Sequence, residues 1–539
     1  MKSTTTITTG SAQRFVDSVA EVASNVIVRC CDRYGAKKTP LLADGINLKT
    51  GEPITWEGHV LSNLACQQNF LRALDGLTLL TGEAVYRDQA DQWIGYALNA
   101  LHDRPSGMLY WGGHTCYDLL EDRPLIGNHE LKCGYPYYRF LYQVAPETTR
   151  FFIEGFWNKH IQDWSNLLFN RHGEYVDWVR TAPWEHRYEG GPLPIVENTR
   201  LSFINTGSDL IYAGALLCKL SGNRNPLRWA KRLAQRYDEV RNETTGLVGY
   251  QFNHREPCRV RISFKEPLGS REDVNETTVI TSSVIQTRYG RAAITWLNLF
   301  EELGVEDGQE FLDLASKDLT AIGEHSYDFN DHSFSPVLLD GTKLSPADSM
   351  EGVGYCPPEK LASVPANGLM FFAYAKAYRL TRKKRFAQMV SSLAEGMGWG
   401  GVFDGLESQA SGVQPDFSKL SRISPPPRDG RANPNQNDVC ALFGLLELYQ
   451  ATHQRAYLES AVNLGNRLVP AYFIDGFFTT AAEATEGFTN IDNALPLALL
   501  HLAAAIEEKP IDLPTFYPNF TDFGPKVIIA RRSTEKSAR

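Results

Sequence analysis

The apolar residues of this chain recur with the 3.6-residue period of amphipathic helices, and these helices come in pairs joined by a short polar turn. The clearest pair covers residues 70–98, where Gly82 lies in the turn and suits a helix C-terminus that needs a left-handed residue. Further pairs cover residues 210–237, 370–397 and 441–468, with a looser one at 291–319. The pattern predicts a mainly α fold built from helical hairpins.

The four clear hairpins start at positions 70, 210, 370 and 441, which is less regular than the spacing of solenoid repeats. Irregular spacing with long insertions favours a closed (α/α) toroid whose connecting loops build a site on one face. The inserted loops predict a minor β element, and the β-branched residues of 277–287 are typical of a strand. We predict a single catalytic domain over 1–539, with a partly extended C-terminal tail over 510–539.

The composition narrows the class of protein. Hydrophobic residues make up 43% and charged residues 22%, as in ordinary globular proteins. No apolar run approaches the ~20 residues that cross a bilayer, so no membrane partner is expected. The net charge of -9 argues against nucleic acid as a partner.

Nine cysteines without CxxC pairs, and an N-terminus without an apolar segment, favour a reduced, cytoplasmic location. A periplasmic or secreted location is the alternative if a signal peptide has been removed. We expect a monomer or a weak homo-oligomer.

Four of the 12 histidines fall between residues 110 and 175: His114, His129, His160 and His172. Two imidazoles and one carboxylate with open positions can hold a divalent metal, and the chosen trio is His114, Glu130 and His172. His129 is the reserve ligand, and His160 is expected to pack on a helix face that it shares with two tryptophans. The alternative for the trio is that these histidines are hydrogen-bonding groups that line the barrel.

Several common catalytic motifs are absent from the sequence: GxSxG, the P-loop, GxGxxG before a helix, and HExxH. Their absence disfavours a serine hydrolase, a nucleotide-binding enzyme and a zinc protease.

At WGGH (111–114), NHELK (128–132), YPYY (135–138) and FNRHG (169–173), the chain resembles the helical-barrel pectate lyases of polysaccharide lyase family 2. The segments 39–56 and 62–74 have the same character. The resemblance implies an (α/α) toroid and β-elimination of polygalacturonate. It also implies a divalent transition metal, often manganese, held by two histidines and one glutamate, with an arginine directly before the second histidine as the base.

Transferred to this chain, the resemblance makes Glu130 and His172 metal ligands, His114 the first histidine ligand and Arg171 the catalytic residue. Manganese is the first choice of metal, with magnesium, cobalt, nickel and calcium as alternatives. A guanidinium has a pKa above ~12, so a charged Arg171 that only stabilises the enolate competes with the role of base. A guanidinium that pairs with Glu174 or Glu130 is a further alternative.

The expected substrate is homogalacturonan or an oligogalacturonide, cut to 4,5-unsaturated products. Its carboxylates need cationic partners, and its sugar rings suit flat aromatic faces. The candidate substrate-binding residues are Arg200, Arg255, Lys132, Trp111 and Tyr135. The alternative for each is an ordinary surface or core position.

Other functions stay open at this point. A lyase for another uronate would use the same chemistry, whereas a glycoside hydrolase would need two carboxylic acids beside the bond, with Asp118, Asp348 or Asp404 as candidates. An epimerase would show paired histidine bases and no metal. A non-catalytic oligosaccharide-binding protein would bind the sugar without turnover.

Overall fold

The computed structural model describes residues 9–56, 58–112, 115–131, 134–173, 175, 182–191, 208–249, 260–399, 434–479 and 491–518. The helices of these ranges are α1 (Thr9–Arg29), α2 (Gln68–Thr81), α3 (Ala84–Ala100), α4 (Tyr138–Val144), α5 (Pro146–His160), α6 (Ser208–Ser221), α7 (Asn225–Glu239), α8 (Ser282–Val284), α9 (Ala293–His325), α10 (Gly368–Thr381), α11 (Lys384–Ala394), α12 (Pro434–Thr452), α13 (Arg455–Tyr472) and α14 (Leu495–Ile506). A π-helical segment, Ile285–Ala292, joins α8 to α9.

The strands are short and lie between the helices. They are β1 (Thr55–Trp56), β2 (His59–Ser62), β3 (Cys116–Asp118), β4 (Arg123–Leu125), β5 (His129–Glu130), β6 (Ile161–Asp163), β7 (Leu168–Phe169), β8 (His172–Gly173), β9 (Val279–Ile280), β10 (Tyr327–Asp328), β11 (Ser333–Phe334), β12 (Val337–Leu338), β13 (Val364–Pro365), β14 (Phe473–Ile474) and β15 (Phe477–Phe478). The largest sheet has the order β1-β2-β3-β4 and is antiparallel.

The predicted fold class, a mainly α (α/α) fold of helical hairpins with minor β elements, is confirmed. The four clear hairpins are α2–α3, α6–α7, α10–α11 and α12–α13, whose helices pack in pairs. Gly82 ends α2 in the left-handed conformation at φ 74°, and its N–H donates to the Thr78 carbonyl at 2.9 Å. The turn residue of α6–α7, Gly222, has the same φ of 74°.

Contacts between Cα atoms divide the chain into two compact units. The first unit comprises Met1–His129, Pro136–Phe152 and Phe417–Arg539. Within it, α1 packs against α14, and α14 packs against α2, so the first and last helices of the described chain are neighbours. The single domain predicted over 1–539 stays a prediction.

The second unit comprises Glu130–Tyr135 and Ile153–Asp416. Within it, α9 packs against α6, α7 and α10. Ion pairs join these neighbours: Lys231 of α7 lies 3.1 Å from Glu310 of α9, and Lys317 of α9 lies 2.5 Å from Asp238 of α7.

One local prediction needs correction. The strand predicted over 277–287 is limited to Val279–Ile280, and a helix begins at Ser282. Packing explains the difference: Val284 and Ile285 are fully buried, and such burial overrides the weak preference of β-branched residues for strands. The looser hairpin predicted over 291–319 agrees with the structure: Gly304, at φ 76°, divides α9 into two helical parts, and the chain folds back so far that a Cβ on Gly308 would lie 2.7 Å from Phe300 Cα.

The C-terminal tail predicted over 510–539 is described up to residue 518, and these residues form neither helix nor strand. Phe516 is buried and stacks on Phe443 of α12 with ring centroids 4.5 Å apart. This part of the tail is therefore held against the first unit.

Candidate functional site

Three of the predicted site residues meet in the second unit, where two of them approach one carboxylate oxygen of the third. Strand β5 pairs with β8, and the Leu131 N–H donates to the Arg171 carbonyl at 2.8 Å. This pairing places Arg171 Nη1 3.2 Å from Glu130 Oε1, and His172 Nε2 lies 3.7 Å from the same oxygen. The two sequence segments NHELK and FNRHG therefore build one site.

The exposure of the three side chains differs. The Glu130 side chain is 3% exposed, whereas those of Arg171 and His172 are 32% and 28% exposed. A buried carboxylate needs a compensating cation or hydrogen bonds, because removing its charge from water is costly. Arg171 supplies that compensation through its ion pair with Glu130. Such a pairing was one of the alternative roles predicted for this arginine. The arrangement is a buried anion beneath two partly exposed nitrogen groups.

The donor set of this site fits a divalent transition metal. Imidazole nitrogen and carboxylate oxygen are both ligands of such ions, at about 2.0–2.2 Å in zinc sites. Two ligand atoms at that distance from one ion lie about 3–4 Å apart, and the 3.7 Å between His172 Nε2 and Glu130 Oε1 is in this range. Glu130 and His172 are therefore able to hold such a metal.

The turn that carries Arg171 and His172 is closed by Asn170, whose Oδ1 accepts the His172 N–H at 3.1 Å. His160, the last residue of α5, lies beside this turn and is fully buried. Its Nδ1 is 2.8 Å from the Asn170 carbonyl oxygen. Burial lowers the pKa of His160 to about 4, so the ring is neutral at pH 7.

The prediction that His160 shares one helix face with Trp157 and Trp164 is wrong, because α5 ends at His160 and Trp164 follows β6. Trp157 and Trp164 do stack on each other, with ring centroids 5.9 Å apart. The His160 ring, in contrast, contacts Phe156 edge-on and reaches the strand that carries His172. Periodicity alone did not identify this contact, because it depends on the return of the β6–β7 hairpin to the end of α5.

The reserve ligand His129 lies in the first unit and is 6% exposed. Its ring packs on Gly112, where an added Cβ would lie 3.2 Å from the ring. Asn63 holds Gly112 from the other side, since its side chain donates to the Gly112 carbonyl at 2.8 Å and accepts the Gly112 N–H at 3.1 Å. Gly112 has φ 112°, a conformation that favours glycine.

Trp111 and Tyr135, the aromatic candidates for sugar stacking, are 2% and 1% exposed. Trp111 packs edge-on against Phe152 with centroids 4.8 Å apart, and the Tyr135 hydroxyl lies 3.0 Å from Ser208 Oγ. This burial favours the core alternative for both rings, and their role in substrate binding stays a prediction. Other predicted residues lie outside the described residues: His114, Lys132, Arg200, Arg255, Glu174 and Asp404.

Two of the carboxylates considered for a hydrolase have structural partners. Asp118 is fully buried, and its Oδ1 accepts the N–H groups of Val60 and Leu120 at 3.2 and 2.9 Å. Asp348 accepts the Ser345 N–H and hydroxyl at 2.7 and 2.8 Å, which closes a capping box. Both carboxylates accept hydrogen bonds from groups of the protein itself, so neither of them supports the hydrolase alternative.

A second group of possible metal ligands lies in the first unit and comprises His59, Asp118 and Glu121. Its atoms are already engaged: His59 Nδ1 is 2.7 Å from Asp118 Oδ2, and Glu121 pairs with Arg123 at 2.5 Å. This group was not predicted from the sequence. Its ion pairs with one another and with Arg123 indicate a structural role beside strands β2–β4.

Among the described residues, no helix has both the length and the apolar character needed to cross a membrane. All cysteines of these residues are free thiols, and most of them are buried.

The sequence model of the family described as "Periplasmic pectate lyase" matches residues 39–523. A curated relative, the pectate disaccharide-lyase of Dickeya dadantii (strain 3937), is 28% identical over an alignment that covers 91% of this chain and 90% of the relative. The cytoplasmic location predicted from the cysteines is not supported by the family description, which agrees instead with the periplasmic alternative.

Two solved structures that this chain resembles are more distant from it in sequence. The GH76A α-1,6-mannanase of Salegentibacter sp. HEL1_6 is 10% identical at a TM-score of 0.43, covering 92% of this chain and 99% of its own. The cellobiose 2-epimerase of Bacillus thermoamylovorans B4167 is 12% identical at a TM-score of 0.44, covering 92% of this chain and 100% of its own. Likeness at this level carries no information about the reaction.

Proposed function

Because this chain belongs to the periplasmic pectate lyase family and is therefore a polysaccharide lyase, we propose that it cleaves oligogalacturonides or polygalacturonate by metal-assisted β-elimination. Glu130 and His172 are the metal ligands of this proposal, and Arg171 acts at the reacting carbon. The observation that carries it is the convergence of Arg171 Nη1 and His172 Nε2 on Glu130 Oε1, at 3.2 and 3.7 Å.

The reaction breaks the C5–H bond next to the uronate carboxylate and then the C4–O bond, and it forms a C4=C5 double bond. The C5 proton is weakly acidic, because the developing negative charge must spread into a group that is already anionic. The leaving C4 oxygen takes up a proton from water. A divalent metal, when bound, neutralises the uronate carboxylate and so makes C5 more acidic.

Glu130 and His172 would hold this metal, and their exposures suit the task. The buried Glu130 carboxylate anchors the site, whereas His172, 28% exposed, borders solvent where a substrate enters. The third ligand is the predicted His114, with His129 in reserve.

Arg171 is the catalytic residue of the proposal. Its guanidinium is 32% exposed and adjacent to the ligand oxygen of Glu130, so it borders both the metal ligand and solvent. A neutral Arg171 would accept the C5 proton, whereas a charged Arg171 would stabilise the enolate-like state while solvent water takes up that proton. Either role requires the guanidinium to lie at the site of charge development.

Release of unsaturated disaccharides from chain ends is the proposed mode of cleavage. The name of the Dickeya dadantii relative, pectate disaccharide-lyase, supports this choice. Manganese is the proposed metal, and the remaining substrate contacts are proposed for Lys132, Arg200, Arg255, Trp111 and Tyr135.

The test is to follow the ultraviolet absorbance of the unsaturated product with polygalacturonate and Mn²⁺, then with EDTA, and to size the products. A rise that EDTA stops, with disaccharides as first products, is the expected result. No rise with polygalacturonate or oligogalacturonides would overturn the substrate class. A rise in absorbance that EDTA leaves unchanged would contradict the proposed metal dependence.

A further inference from the structure

We propose that His160 and Asn170 are positioning residues that fix the direction of Arg171 and His172, an inference that rests on the function proposed above. His160 is fully buried at the end of α5, so it lies out of reach of a substrate. Its Nδ1 and its Nε2 edge both face the segment Asn170–Gly173, which carries the two site residues.

The two residues hold each other through both of their backbones. The Asn170 N–H donates to the His160 carbonyl at 2.8 Å, and His160 Nδ1 lies 2.8 Å from the Asn170 carbonyl. Because a carbonyl oxygen only accepts, Nδ1 is the protonated nitrogen of this ring. The ring therefore fastens the Asn170 carbonyl to the end of a helix.

Asn170 transmits this constraint to the next two residues. Its Oδ1 accepts the His172 N–H at 3.1 Å, which closes a tight turn around Arg171. On the other side, the Leu131 N–H donates to the Arg171 carbonyl at 2.8 Å. Arg171 is thus held between two anchored points, and one of them depends on His160.

Gly173 permits the close approach of the ring to this strand. A Cβ at this position would lie 2.8 Å from His160 Nε2, closer than such contacts occur. Glycine directly after His172 therefore lets His160 pack behind the strand that carries the proposed ligand. Partners of this kind set ligand orientation, and their loss typically costs about 10–100-fold in metal affinity or activity.

The test uses matched variants of the full-length protein. His160→Leu removes the donor to Asn170, whereas His160→Asn can keep it, since the Asn amide nitrogen takes the place of Nδ1. Asn170→Ala removes the acceptor for the His172 N–H, whereas Asn170→Asp keeps an acceptor oxygen. His102→Leu is the control, because His102 is a partly buried histidine that packs on Phe151 outside the site.

Three quantities are measured on folded protein: the Kd for Mn²⁺ by electron paramagnetic resonance, and kcat and KM on polygalacturonate. We expect His160→Leu and Asn170→Ala to weaken Mn²⁺ binding and lower kcat by at least about 10-fold, with little change in KM. His160→Asn and Asn170→Asp should recover most of the Mn²⁺ affinity and most of kcat, and His102→Leu should match the wild type.

Equal losses in His160→Leu and His160→Asn would overturn the inference, because the hydrogen bond would then be irrelevant. Unchanged Mn²⁺ affinity and kcat in His160→Leu would also overturn it while leaving the proposed function intact. A wild-type protein that binds Mn²⁺ but leaves polyuronates uncut would overturn the proposed function, and the Mn²⁺ affinities of the variants would still decide the positioning role.

Discussion

The Glu130 carboxylate and the Arg171 guanidinium form an ion pair, with Oε1 and Nη1 3.2 Å apart, in which the carboxylate is buried and the guanidinium borders solvent. Substitution of Arg171 and substitution of Glu130 should therefore have different consequences. Loss of Arg171 affects a group that a substrate can reach, whereas loss of Glu130 removes the buried anchor on which Arg171 and His172 converge.

Arg171→Ala is expected to lower kcat by about 100-fold or more, because a positioned proton-transfer group typically contributes roughly 10²–10⁴-fold. Mn²⁺ affinity should change less than in Glu130→Gln, since Arg171 is an ion-pair partner of the ligand Glu130 and not itself a proposed ligand. Steady-state kinetics on polygalacturonate measure the first effect and calorimetric titration the second. Arg187→Ala is the control, because its side chain is 87% exposed. Near-normal turnover of Arg171→Ala would refute its catalytic role.

Glu130→Gln is expected to weaken Mn²⁺ binding by at least about 100-fold, more than the roughly 10–100-fold lost when an outer partner of a ligand is removed. Product formation should fall in parallel and recover only at high Mn²⁺ concentration. Glu121→Gln is the matched control, because it lies in the other His–carboxylate group. A larger loss of affinity in Glu121→Gln than in Glu130→Gln would move the metal to that group.

Asp44 is expected to make stability depend on pH. Burial raises the pKa of Asp44 to about 8, against about 3.9 for an exposed aspartate. Between these values the folded protein keeps a proton that the unfolded chain releases, so the Asp44 contribution is full below pH ~4 and is lost as pH rises towards 8.

The neutral variant Asp44→Asn removes this dependence, and its Oδ1 can still accept the N–H groups of Asn63 and Gln67 that bond Asp44. From pH 5 to pH 8, the free energy of unfolding of the variant should gain about 1 kcal/mol or more relative to wild type. Urea denaturation at both pH values measures the change. A constant difference between variant and wild type would contradict the prediction.

Gly82→Ala is expected to destabilise the first unit by about 1 kcal/mol, because alanine is strained at the left-handed end of a helix. No atom lies within 4 Å of the added Cβ, so the cost is one of backbone conformation. Gly95→Ala is the opposite control: Gly95 lies inside α3, and the new methyl would rest 3.8 Å from Val144. That variant should gain roughly 0.5–1 kcal/mol. Equal thermal shifts for both would contradict this account.

Asp318→Asn is expected to cost about 3–5 kcal/mol, because it leaves a fully buried guanidinium without its anion. Arg288 and Asp318 are both fully buried and lie 2.9 Å apart. The neighbouring Lys317 is 53% exposed and pairs with Asp238, so Lys317→Ala should cost only about 0–1 kcal/mol. Denaturation of the two variants in guanidinium chloride measures the difference in their stability. Similar midpoints would count against a structural role for the buried Arg288–Asp318 pair.

Local signals in the sequence were enough for the hairpins. Their turns need a left-handed residue, and Gly82 has that conformation because glycine has no Cβ. The same reasoning failed for 277–287, where burial of Val284 and Ile285 makes a helix from residues that prefer strands. The aromatic candidates Trp111 and Tyr135 were also selected by residue type, which does not report burial.

By itself, the sequence determined the helical hairpins and the family, because helix periodicity and short motifs are properties of neighbouring residues. The family resemblance grouped Glu130, Arg171 and His172, but only the tertiary structure decided that they meet at Glu130 Oε1 and that His160 lies behind them. The strands that bring them together, β5 and β8, are two residues long and carry no alternating pattern. Their pairing is accompanied by the Leu131–Arg171 hydrogen bond, a contact between residues far apart in the chain that no local pattern reports.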